Sequence, residues 1–175
     1  MTSTIKVDTI QTAAGGVPRA EDLGIDISGT LVQMQYSTAQ TNVTSSSTTK
    51  VEIVSVSITP RFSDSKIKVS YHGDFQQTAA NDAHIWLSRD DGSGIYNALT
   101  DGSWSTTATN DQAMWQYWYV GTGGAMTKNA EKVFVVDAKV TQQITFKVWA
   151  GAVNGTYAIG NNNKNQQLIV EEIAQ

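Results

Sequence analysis

The only imidazoles in the chain are His72 and His84, and its middle stretch gathers five carboxylates, Asp82, Asp90, Asp91, Asp101 and Asp111. A metal centre needs such groups at convergent spacing, and no His-x-His or His-Glu-x-x-His pattern occurs. Each histidine falls on the polar side of an alternating stretch, which reads as a solvated or interface position. The aspartates do not follow the alternate-ligand spacing of a calcium loop. Paired carboxylates also carry out glycoside hydrolysis, which would draw on Asp90, Asp91 and Asp101. Nothing in their surroundings marks one as a proton donor, so solvated turn roles account for them better. Gly121–Lys128 lacks the Gly-Lys-Ser/Thr order of a phosphate-binding loop and reads as a hairpin loop. The expectation is a chain that is not an enzyme and uses no metal or cofactor.

Aromatic residues are more informative. Along Met114–Val120 one side carries Trp115, Tyr117 and Tyr119, and the other carries Met114, Trp118 and Val120. Trp149 lies opposite Ile144, Phe146 and Val148, and Trp86 opposite Ile85 and Leu87. Strands that are apolar on both sides need cover on both, because large exposed apolar patches are uncommon on monomers. Tyr and Trp suit interfaces, where they bury much area and keep a polar tip. Trp115, Tyr117, Tyr119 and Trp149 are therefore the expected subunit interface. A core role and a carbohydrate-stacking platform are the alternatives.

The elements that must position these side chains are strands. The chain has 21 Thr, 15 Ser, 10 Asn and 13 Gln, with 16 Val and 13 Ile against 5 Leu. β-branched side chains are stiff and pack well on a pleated surface. Charged residues make up 16% and the net charge is −4, so no basic stripe exists to bind nucleic acid. Cysteine is absent, which excludes disulfides and thiolate metal sites. No signal peptide is readable at Met1–Lys6, and no apolar run is long enough to insert into a membrane.

From Leu31 onward, alternation predicts strands at 31–36, 51–58, 66–72, 83–89, 114–120, 132–138, 143–150 and 166–173, with a short one at 156–159. The phase of Val51–Ile58 shifts near Ile53, which predicts a β-bulge. Asp91-Gly92 and Asn154-Gly155 predict hairpin turns. Residues 1–30 contain no aromatic residue and cannot build a core alone. The expected organisation is an N-terminal arm, 1–30, followed by an all-β antiparallel sandwich of jelly-roll type, 31–175.

Ser3-Thr4-Ile5-Lys6-Val7-Asp8-Thr9-Ile10-Gln11-Thr12 resembles the opening of many bacteriophage fibre and virion structural proteins. Val56-Ser57-Ile58-Thr59-Pro60, leading to Ser65-Lys66-Ile67, is similar to a second phrase of that family, and Leu168–Ile173 to its closing strand. The stretch from Gly73 to Asn165 carries no such phrase. The resemblance implies a head akin to the tumour-necrosis-factor and complement jelly roll, working as a homotrimer. It also implies an arm that anchors on other virion proteins, with Ile5, Val7 and Ile10 as the anchoring side chains. The expected role is a tail-fibre, head-fibre or other appendage component located in the virion. The alternative is a lectin-like module that contacts a host-surface glycan or receptor.

Overall fold

The computed structural model describes residues 28–39, 43–45, 47–77, 81–108, 113–119, 126–154, 157–159 and 165–175. The expected arm, with Ile5, Val7 and Ile10, lies outside them. Eleven strands are described: β1 (Leu31–Ala39), β2 (Val43–Ser45), β3 (Val51–Ile58), β4 (Lys66–Gln77), β5 (Asn81–Asp90), β6 (Ile95–Asn97), β7 (Trp115–Tyr119), β8 (Met126–Asp137), β9 (Ile144–Asn154), β10 (Tyr157–Ile159) and β11 (Gln166–Ile173). All pairings are antiparallel and form two sheets, so the fold is an all-β sandwich.

In the first sheet β4 pairs with β8 along its whole length. It also pairs with β11 over Lys66–His72 and with β10 over Phe75–Gln77, while β1 pairs with β11 and β2 with β10. In the second sheet β9 lies between β3 and β5, and β5 pairs further with β6 and β7. The core lies between the sheets. Ile67, Val69, Tyr71, Leu168 and Val170 face Val54, Val56, Ile58, Ile85, Leu87, Ile144, Phe146 and Val148, all at most 8% exposed. Burying each such side chain contributes roughly 1.5–3 kcal/mol, so alternation alone directs these strands into one layered core.

The register of β3 on β9 shifts between Glu52 and Val54, where the phase change predicts a bulge. Both Ile53 and Val54 are consequently buried. Asp91-Gly92 closes the β5–β6 hairpin, with Gly92 at φ 84°. Two expected hairpins are corrected. β9 and β10, on either side of Asn154-Gly155, belong to different sheets, and so do β7 and β8, on either side of the Gly121 stretch. In both places the strand that follows pairs with a partner in the other sheet, which a turn motif does not encode.

Candidate functional site

Three surfaces bear on function. On the outer face of the second sheet the register sets Trp86 against Trp149 and His84 against Gly151. This face is not open. Residues 98–108, which follow β6, fold over it, tied by Lys50 N–H to Thr106 O (2.7 Å) and Ala108 N–H to Thr48 O (2.6 Å). His84, Trp86 and Ser88 are fully buried as a result. The expectation that His84 is solvated or at an interface is thus corrected, because a polar segment of its own chain with no strand signature supplies its cover.

Within this layer the Lys50 ammonium donates to Ser105 O at 2.7 Å and lies 4.6 Å from the Trp86 ring centre. Burial lowers the Lys50 pKa to about 8. Trp149 is half-buried, with Nε1 donating to Ser88 Oγ at 2.8 Å and its ring 5.4 Å from that of Trp104. One expected interface residue is therefore partly covered by its own chain. Trp115, Tyr117 and Tyr119 sit on β7, in register with Ile85, Ala83 and Asn81, and their side chains lie outside the described residues. The structure brings the backbone positions of Trp115 and Trp149 into neighbouring places on either side of β5.

The aspartates take local roles. Asp90 Oδ1 accepts from Gly92 N–H, and Asp91 Oδ1 accepts from both the N–H and the hydroxyl of Ser93. The Ser93 hydroxyl is the main reason Asp91 is held below the ordinary carboxylate range. Asp101 pairs with Lys139 at 2.6 Å, and these are the only non-glycine residues among those described with positive φ. Asp111 lies outside the described residues, as does the Asp82 side chain. Among the described residues no group of three His, Asp or Glu could hold a metal ion.

The outer face of the first sheet is different. Its register stacks four cross-strand rows, from β8 through β4 and β11 to β1: Asp137–Lys66–Ile173–Leu31, Val135–Lys68–Glu171–Met34, Val133–Ser70–Ile169–Tyr36 and Glu131–His72–Gln167–Thr38. Leu31, Met34, Tyr36, Val133 and Val135 are each 51–65% exposed. The charges between them are paired in the sheet, Lys66 with Asp137 and Lys68 with Glu171 at 2.7 Å. Sequence reasoning did not single out these residues, because two valines between Glu131 and Asp137 on the wet side of β8 read as ordinary alternation.

At the far end of the same face β4 passes from β11 to β10, and an open hollow of about 250 Å³ forms. Thr38, His72, Asp74, Asn129, Glu131 and Gln167 line it, with Gly73 and Asn165. His72 Nδ1 stands 3.4 Å from Glu131 Oε1. His72 is thus on the wet face its alternation predicts. Beneath Gly73, the buried Tyr71 hydroxyl donates to Gln166 Oε1 at 2.6 Å. Burial first, and the Asp74 charge second, push the Tyr71 pKa upward.

No protein-family model matches the chain, and no curated relative matches it. Among solved structures it is similar to a chain in the structure of infectious bursal disease virus, Gx strain. The identity is 12% and the TM-score 0.33, over 81% of this chain and 38% of that one. The present chain therefore spans less than half the length of that viral chain.

Proposed function

We propose that this chain is a non-catalytic structural component of a bacteriophage particle, whose sandwich head associates with copies of itself and whose first thirty residues engage another particle protein. The observation that carries the reading is the outer face of the first sheet, where Leu31, Met34, Val133 and Val135 stand more than half exposed around in-sheet ion pairs. A standard interface buries roughly 800 Å² per partner, a little over half of it apolar. Four half-exposed apolar side chains and the stems of Lys66 and Lys68 offer a patch of the required order, roughly several hundred Å². The pairing of its charges leaves little net field to repel a second copy, which favours self-association over a strongly charged partner.

Two further features support the reading. The main strands order as β8–β4–β11–β1 in one sheet and β3–β9–β5–β7 in the other. Most connections between consecutive main strands cross between the sheets, as in a double-sheet jelly roll. The resemblance of Ser3–Thr12 to phage fibre openings supplies the particle and the anchoring arm, and the likeness of the head to the tumour-necrosis-factor and complement jelly roll supplies the copy number of three. We place the trimer axis on the first sheet, whose apolar side chains stand exposed, whereas Trp149 of the expected set is half covered by its own chain.

Light scattering on the full chain after size-exclusion chromatography tests the association. The expected mass is three times 18.9 kDa. A monodisperse 18.9 kDa species at micromolar concentration overturns it. For the arm, a chain lacking residues 2–28 should keep the head folded and fail to enter particles.

A further inference from the structure

We infer that the hollow at the β4 fork is a binding site for one neutral sugar unit of a surface polysaccharide. Its lining offers the functional groups a sugar ring needs. A sugar hydroxyl both donates and accepts, and here it meets acceptor-only carboxylates at Asp74 and Glu131, amides that do both at Asn129 and Gln167, and the Thr38 hydroxyl. Among the described residues no lysine or arginine lines it, and two carboxylates do. That charge disfavours phosphate, sulfate or uronate ligands and favours a neutral or N-acetylated ring. A volume of about 250 Å³ is below the roughly 300–1,000 Å³ of drug-sized sites, so one ring fits and a longer chain must extend outside.

The neighbouring row supplies the apolar half of the match. There Ile169 and Tyr36 follow Gln167 and Thr38 at two residues' spacing, roughly 6.6 Å along the strands. Tyr36 is 65% exposed there, which suits the C–H face of a pyranose whose hydroxyls turn into the hollow.

The floor is closely packed, which limits the ordering cost of binding. A Cβ on Gly73 would stand 1.9 Å from Gln166 Oε1 and 2.3 Å from the Tyr71 hydroxyl, so glycine lets the buried Tyr71–Gln166 hydrogen bond lie directly under the backbone. Position also fits. The chain enters the sandwich where Gly29 N–H donates to Ala174 O and Ala174 N–H to Thr30 O. The hollow lies seven residues up β1, roughly 23 Å away. On the proposed anchoring through residues 1–30, on which only this direction depends, it faces away from the particle.

The test uses the full chain on an array of immobilised bacterial polysaccharides carrying neutral, N-acetylated or uronic-acid units, followed by saturation-transfer NMR with the methyl glycosides of the hits. The expected result is weak binding to neutral or N-acetylated units only. A chain carrying Asn129→Ala and Gln167→Ala should lose at least tenfold in affinity with an unchanged thermal midpoint. A chain carrying Glu131→Gln should gain tolerance for uronic acids. Absence of binding across the array, a preference for uronates in the parent chain, or full binding by the double variant each overturns the site. The light-scattering mass is read in parallel. A trimer without sugar binding removes this site alone, and a sugar-binding monomer removes the self-association alone.

Discussion

The ammonium nitrogen of Lys50 lies 4.1 Å from the centre of the Trp104 ring. Trp104 belongs to the β6–β7 connection and Lys50 to the residue just before β3, so this contact fastens the covering segment to the second sheet. Cation–π contacts of desolvated amines contribute on the order of 2 kcal/mol. Here they act together with the Ser105 carbonyl against the cost of burying a charge.

Lys50 makes stability depend on pH. Its pKa is about 8 when folded against 10.5 ordinarily, so between those values the unfolded chain holds a proton that the folded chain has released. Stability therefore rises with pH through that window, by roughly 1–2 kcal/mol between pH 8 and 9.5. Lys50→Met removes this rise. Denaturant titrations of both chains at pH 7, 8, 9 and 9.5 measure it, and parallel pH profiles contradict it.

Glu172 is fully buried at the opposite side of the sandwich. One carboxylate oxygen accepts from Arg61 N–H (2.8 Å), Phe62 N–H (3.1 Å) and the Ser65 hydroxyl (2.9 Å), and the other from Gln33 Nε2 (2.7 Å). It thus fixes the β3–β4 turn to β11 and β1. Glu172→Ala leaves buried donors unmatched and should cost roughly 2–4 kcal/mol. Glu172→Gln, which keeps one acceptor oxygen, should cost less. Chemical denaturation orders the two, and equal losses would contradict the accepting role.

Gly73→Ala places a methyl against the Tyr71–Gln166 pair. The forced shift should cost roughly 1–3 kcal/mol. Gly92→Ala has open space but sits at φ 84°, so its smaller cost comes from backbone conformation alone. Thermal melts of the two variants should separate accordingly.

Paired substitution of Val133→Asp and Val135→Asp should leave the monomer folded, because both side chains point to solvent at 55% and 59% exposure. In the proposed assembly it should convert the trimer to 18.9 kDa monomers. Unchanged mass by light scattering, with unchanged circular dichroism, would exclude this face as the seam.

The strands were legible because side chains alternate with period two, and that period is local. Ile67, Val69 and Tyr71 follow it, as does the phase slip at Ile53. The same parity sets Glu172 in line with Leu168 and Val170, and Arg89 with Ile85 and Leu87. Read strictly, it marks a carboxylate and a guanidinium that must find partners inside. Arg89 does so through Asp137 O (2.8 Å) and Ala138 O (2.5 Å).

By itself, then, the sequence determined the class: a cysteine-free, β-branched chain of alternating strands that can only close as packed antiparallel sheets. Only the tertiary structure decided which outer faces stay wet. Cover comes from segments distant along the chain, so the burial of Trp86 and His84 depends on residues near Trp104 and Ala108 that carry no period of their own. The exposure of Tyr36, Val133 and Val135 depends equally on no such segment, among the described residues, crossing the first sheet. A local pattern sets which side a residue faces, and only the path of the rest of the chain sets what that side meets.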